Sequence, residues 1–143
     1  MPNVNASPDC PPYDYIVCTT KNYPDVSPTC LDVISPAVTV GHTTIILIQN
    51  GLNIQNPIVA AFPENVVLSG VSFCGSHQLS PGDILHEDND SVSIGPFENQ
   101  PLMASNSTLC VAKAKEFVDI YGAGGKSYPE VSFFFIYFTI TFF

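Results

Sequence analysis

Two apolar runs constrain this fold more than any other feature: residues 13–21 (YDYIVCTTK) and residues 43–51 (TTIILIQNG), each ending on polar side chains. Both are nearly continuous in apolar and β-branched residues, which predicts short strands buried on both faces. The step from Lys21 to Asn50 is close to the roughly 30 residues of one strand–crossover–strand unit, so the strands are expected to lie parallel and adjacent. In open parallel sheets, ligands bind at the carboxyl ends of the strands. The sequence places an ammonium (Lys21) and a carboxamide (Asn50, followed by Gly51) at those ends. Taken singly, a lysine after a strand reads as a solvated cap and Asn-Gly as a turn. Taken together at two neighbouring strand ends, they are candidate ligand contacts.

The rest of the chain supports a mixed α/β fold. Residues 22–42 are expected to hold the crossover helix at residues 28–34, with Pro28 near the first turn and Pro24 and Pro36 breaking the pattern outside it. A second helix is expected over residues 54–62, with Ile54, Ile58, Ala61 and Phe62 on one face and Pro63 at its end. Residues 66–73 (VVLSGVSF) read as a third strand. Residues 83–87 and 91–95 flank the turn-forming Asp88-Asn89-Asp90 and predict a hairpin with one wet face. Residues 105–121 predict a helix capped by Ser105 or Ser107, with Leu109, Ala112, Glu116 and Ile120 marking its period and Gly122 ending it.

This gives one partial domain over residues 13–126, after a polar, proline-rich and disordered segment 1–12. Residues 127–143 form an aberrant tail. The run 131–143 (VSFFFIYFTITFF) has six phenylalanines in thirteen positions, too short a stretch for a spanning helix of about 20 apolar residues. Val131-Ser132 is encodable as a typical intron start and phenylalanine codons are pyrimidine-rich, so the tail is read as translated intron.

Charge excludes several function classes. Thirteen acidic residues oppose four lysines and no arginine, a formal net charge of −9. Phosphate-rich nucleic acid needs a basic footprint that this chain lacks, and an anionic membrane surface is disfavoured for the same reason. Five cysteines with no Cys-x-x-Cys pair read as reduced thiols, several of them packed as small hydrophobes. Residues 1–12 lack the pattern of a signal peptide, so a cytoplasmic location is expected and the triplets at Asn5, Asn89 and Asn106 are read as chance.

Other motifs are weak. Gly122-Ala-Gly-Gly-Lys-Ser127 has Ile120 where a phosphate loop needs glycine, and reads as a helix-ending turn. Cys74 and His77, even with His86 and Asp88, do not give the two close ligand pairs of structural zinc. Residues 87–90 lack calcium-loop spacing. Cys74 and His77 have no third group to orient them as a nucleophile and base. No metal site is expected.

In order, YDYIVCTTKN, IILIQNGLNIQNPIVAAFP, NVVLSGVSFCGSH and PGDILHEDNDSVSIGPF resemble the ketopantoate reductase (2-dehydropantoate 2-reductase) family in its fungal form, over about residues 13–125 of its amino-terminal nucleotide-binding domain. The resemblance implies a partial Rossmann-like parallel sheet with an antiparallel hairpin. It also implies hydride transfer from NADPH to a 2-keto acid, ketopantoate, in the pathway to coenzyme A. Lys21 then matches the family's lysine after the fourth sheet strand, and Asn50 with Gly51 the Asn-Gly beside the nicotinamide. These three are the expected cofactor-binding residues.

The departures are large. Neither the Gly-x-Gly-x-x-Gly turn, nor the arginine for the 2′-phosphate, nor the helical domain with the catalytic lysine is present, so no catalytic residue is assigned. The chain is expected to be inactive alone. The alternative is a non-catalytic fragment or an interaction module pairing with an intact reductase, with self-association through the open sheet edge or the phenylalanine-rich tail.

Overall fold

The computed structural model describes residues 11–124 and 127–131. The elements run β1 (Tyr15–Cys18), α1 (Cys30–Ile34) continuing into a 3-10 turn (Ser35–Ala37), β2 (Thr44–Leu47), α2 (Asn56–Ala61) and β3 (Val67–Ser72). They continue with β4 (Ser76–Ser80), β5 (Asp83–His86), β6 (Asp90–Pro96), α3 (Pro101–Ser105), α4 (Ser107–Gly122) and β7 (Ser127–Val131). The main sheet has the order β1-β2-β3-β6-β7. Its first three strands are parallel, β6 is antiparallel to β3, and β7 is parallel to β6. The expected fold class, a Rossmann-like parallel sheet with an antiparallel hairpin, is the one observed.

Alternation along the strands divides the core into two layers. Ile45 and Leu47 of β2 join Cys18, Ile34, Ile58 and Val67 on the face covered by α1 and α2. Ile46 joins Leu68, Val92, Ile94, Cys110, Ala114 and Phe117 on the face covered by α4. Because both faces of β2 are covered, all four of its residues are buried, which is why the sequence there is an unbroken apolar run. β1 departs from that expectation. It is an edge strand, and Val17 remains 42% exposed.

Polar side chains fix the strand ends. Asn65 donates to the carbonyls of Thr39 (2.9 Å) and Thr43 (2.8 Å) and accepts from Gly41 N–H (3.1 Å), tying the turn before β2 to the start of β3. Gln100 accepts from Val67 N–H (3.0 Å) and donates to the Val67 carbonyl (2.9 Å), so a side-chain amide pairs with β3 beyond the end of β6. At Gly70 a Cβ would fall 2.7 Å from Ile48 Cγ1 and 2.9 Å from Ile94 Cδ1, so only glycine lets these two branched side chains meet over β3.

Three local expectations are corrected. The segments 83–87 and 91–95 do not pair with each other. β5 pairs with β4, turning through Pro81 and Gly82, whose φ is +86°, while β6 pairs with β3. The apolar Val92 and Ile94 are core residues, and the edge of β3 buries them better than an exposed hairpin does. The second correction concerns α4. It turns Cys110, Ala114 and Phe117 inward and leaves Leu109, Ala112, Glu116 and Ile120 toward solvent, one residue out of the expected phase. Its cap is Asn106, which accepts from Leu109 N–H at 3.1 Å, rather than either flanking serine. In the third, Ala61 of α2 is exposed although Ile58 is fully buried.

The helix expected at residues 28–34 is α1, with Thr29 as its cap and Pro28 just outside it. Ser127–Val131, the start of the segment set apart as a tail, forms β7, and Ser93 Oγ donates to Glu130 Oε1 at 2.5 Å. The disorder expected for residues 1–10, and the rest of the tail, lie outside the described residues. Among the described residues no helix is long and apolar enough to cross a membrane.

Candidate functional site

The candidate site forms where β1 and β2 end. Their parallel register pairs Tyr15 with Thr44 and Cys18 with Leu47, a constant step of 29 residues. Carried three residues past the strands, the same step sets Lys21 level with Asn50. The register does persist into the loops: Ile48 N–H donates to the Cys18 carbonyl (2.9 Å), and Gln49 Nε2 donates to the Thr20 carbonyl (2.7 Å) and hydroxyl (3.1 Å). The two strand ends are thus tied by a side-chain amide directly before the candidate contacts. Lys21 and Asn50 are both exposed.

Gly51 follows with φ +137°, a conformation that side-chain-bearing residues rarely adopt. A Cβ there would fall 2.5 Å from Ile54 Cγ2 and 3.7 Å from Asn22 Nδ2. The chain can therefore leave β2 beside the residue that follows Lys21 only because position 51 is glycine. Ile54 is anchored in the layer under α2, so the turn is fixed by the core beneath it.

Beside β1 runs an open groove of about 660 Å³, bordered among others by Tyr13, Val17, Lys21, Tyr23, Cys30 and Val33. Its walls are β1, the loop that follows, and α1. Lys21 borders this groove, whereas Asn50 and Gly51 are not part of its lining. The structure thus brings Lys21 and Asn50 to one sheet end without placing them in one cavity.

Two thiols meet in the groove wall. Cys18 closes β1 and is 5% exposed, and Cys30 opens α1 and is half-buried. The hydrogen bond from the Cys18 thiol lowers the Cys30 pKa below the ordinary cysteine range against the opposing effect of burial, with a further contribution from Gln49. The Cys18 thiol is correspondingly pushed up, first by its hydrogen bond to Cys30 and then by burial. Sequence reasoning treated both cysteines as packing residues, and 11 residues of loop separate them, so spacing alone carried no signal. Gln49 was likewise read only as the end of a strand.

The weaker motifs gain nothing. Cys74 accepts from the Ser72 hydroxyl at 3.1 Å, and His77 Nε2 lies 3.5 Å from Glu87 Oε2. No group of three or more candidate metal ligands occurs among the described residues.

Comparison with known proteins gives this geometry a context. The family profile of ketopantoate reductase PanE/ApbA matches residues 1–99. An uncharacterised Saccharomyces cerevisiae protein, YDL144C, is 33% identical over 132 residues, covering 82% of this chain and 35% of that protein. A 2-dehydropantoate 2-reductase of Nostoc sp. is 26% identical over 103 residues, covering 68% of this chain and 30% of its own. Among solved structures, a ternary complex of D-mandelate dehydrogenase with NADH and anilino(oxo)acetate aligns with a TM-score of 0.53 at 17% identity, over 91% of this chain and 37% of that one. The chain spans about a third of the length of the curated relatives it matches.

Proposed function

This chain belongs to the ketopantoate reductase PanE/ApbA family, and from that premise we propose that it carries part of the nicotinamide-nucleotide site of a reductase acting on 2-oxo acids. The observation that supports the reading is the parallel pairing of β1 and β2, whose carboxyl ends lead within three residues to Lys21 and Asn50. The D-mandelate dehydrogenase of like fold holds NADH and anilino(oxo)acetate in its ternary structure, which supports the chemical class.

The residues present fit one end of the cofactor. Gly51 lets the chain turn away past Ile54 directly after Asn50, and the Asn50 amide offers both a donor and an acceptor to a carboxamide such as that of nicotinamide. When bound, NADPH supplies the hydride. The Lys21 ammonium adds positive charge where a carboxylate or a developing alkoxide needs it. Gln49 holds the two strand ends together, so the positions of both contacts depend on it.

The 143 residues by themselves are expected to turn over no ketopantoate, because they correspond to only about a third of the length of their relatives. NMR titration of the chain with millimolar NADPH is expected to shift the amides of residues 20–22 and 49–51, and Asn50→Ala to abolish those shifts. Shifts confined to other segments refute the site. Ketopantoate-dependent oxidation of NADPH by the purified chain refutes the inactivity.

A second reading rests on the exposed edge of β1, where Val17 faces solvent beside the groove. Such an edge can accept a strand, which makes pairing with an intact reductase a non-catalytic role. Co-purification with a full-length relative is the expected result, and a monomer that ignores that relative at high concentration overturns it.

A further inference from the structure

We propose that Cys18 and Cys30 are a redox pair, converted by hydroperoxides to a disulfide that joins the end of β1 to the start of α1. The placement carries the argument. Both residues belong to the same packed layer beneath α1, with Cys18 in its buried core and Cys30 against it, and both border the open groove. One thiol is reachable from solvent and the other is covered, the arrangement that separates an attacking cysteine from a resolving one. The other described cysteines lack this arrangement. Cys74 is exposed and hydrogen-bonded to Ser72, and Cys110 is fully buried under α4.

The chemistry balances in two steps. The Cys30 thiolate attacks the peroxide, an S–O bond forms as the O–O bond breaks, and hydroxide leaves with a proton to become water. Cys30 is now a sulfenic acid. The Cys18 sulfur attacks it, an S–S bond forms as the S–O bond breaks, and the Cys18 proton leaves with the hydroxyl as a second water. Two thiols are oxidised and one hydroperoxide is reduced. Gln49, which hydrogen-bonds both Cys30 and the Thr20 backbone, positions the attacking sulfur beside the end of β1.

The bridge closes the loop of residues 19–29, and that loop carries Lys21. Oxidation therefore restrains the residue assigned to ligand contact, whereas the pair itself stands independently of any ligand. The hydrogen bond from Cys18 favours the Cys30 thiolate, the form that attacks peroxide, over the thiol.

The test is peptide mapping of the intact chain after brief exposure to hydrogen peroxide at neutral pH. The expected product is a reducible Cys18–Cys30 linked peptide that forms before Cys74 or Cys110 is modified. In Cys18→Ala, Cys30 is expected to accumulate as a dimedone-reactive sulfenic acid, and the pH midpoint of its alkylation to move upward from the wild-type value. Oxidation of Cys74 ahead of the pair, linkage of Cys30 to another cysteine, or an alkylation profile unchanged in Cys18→Ala overturns the proposal. The wild-type mapping decides the question even where the variant does not fold.

Discussion

Replacing Gly51 by alanine tests the link between the core and the candidate site. Two costs combine. A non-glycine residue held at φ +137° costs about 1–3 kcal/mol. The new Cβ would also lie 2.5 Å from Ile54 Cγ2, and Ile54 is a β-branched residue packed beneath α2, so it cannot simply rotate away. Overpacking of that kind costs about 1–3 kcal/mol. The sum is about 2–4 kcal/mol after partial relaxation of the loop, which lowers a urea midpoint by about 1–2 M for a domain with an m-value near 2 kcal/mol/M. Gly82→Ala is the control. Its φ is +86° and nothing lies within 4 Å of the added Cβ, so it carries backbone strain without a clash. Urea denaturation followed by circular dichroism is expected to show Gly51→Ala more destabilised than Gly82→Ala by at least about 1 kcal/mol, the low end of the overpacking range. Equal effects refute the claim that Ile54 shapes the turn. NMR should also show the amides of residues 49–51 displaced in Gly51→Ala alone.

Further outcomes follow from the polar contacts. Gln100→Ala removes the partner of the buried Val67 N–H and one of two donors to each of the Val67 and Phe97 carbonyls, which keep the Phe97 and Gln100 N–H groups, and is expected to cost about 1–3 kcal/mol by urea unfolding. Tyr15→Phe removes a buried hydroxyl that lacks a partner at hydrogen-bonding geometry and whose ionisation is suppressed by burial first and by the neighbouring Glu116 next, so stability is expected to change by less than about 1 kcal/mol in either direction. Asp32 accepts from the Thr29 N–H and hydroxyl, both at 2.8 Å, and these contacts hold its carboxyl below the ordinary aspartate range. A lowered folded-state pKa stabilises the fold above the unfolded value and ceases to do so as the pH falls through the folded one. The acid limb of a stability–pH curve is therefore expected to flatten in Asp32→Asn, and an unchanged limb refutes the role of this cap.

The candidate site was legible because strand direction and length are written in local patterning. An unbroken run such as residues 44–47 fits only a strand covered on both faces, and a spacing of about 30 residues fits only a crossover connection. Lys21 and Asn50 then follow from where such strands must end. What the sequence misplaced were matters of partner choice. The alternation at Val92 and Ile94 suits an exposed hairpin as well as the edge of β3, and the choice depends on how much apolar area each buries. The phase of α4 failed for a related reason. Leu109 and Ile120 are as apolar as Cys110 and Phe117, and only the surface beneath the helix determines which set turns inward.

The sequence by itself determined the α/β class, the parallel pairing of the first two strands and the polar groups at their ends, since these rest on periods and spacings within short windows. Tertiary structure alone decided that β1 is an edge bordering a groove, that Gln49 ties Thr20 across the strand ends, and that Cys18 meets Cys30. Each of those contacts joins residues from different elements. The pairing of β1 with β2 sets the Gln49–Thr20 contact and the packing of α1 on the sheet sets the Cys18–Cys30 one, and no local pattern encodes either.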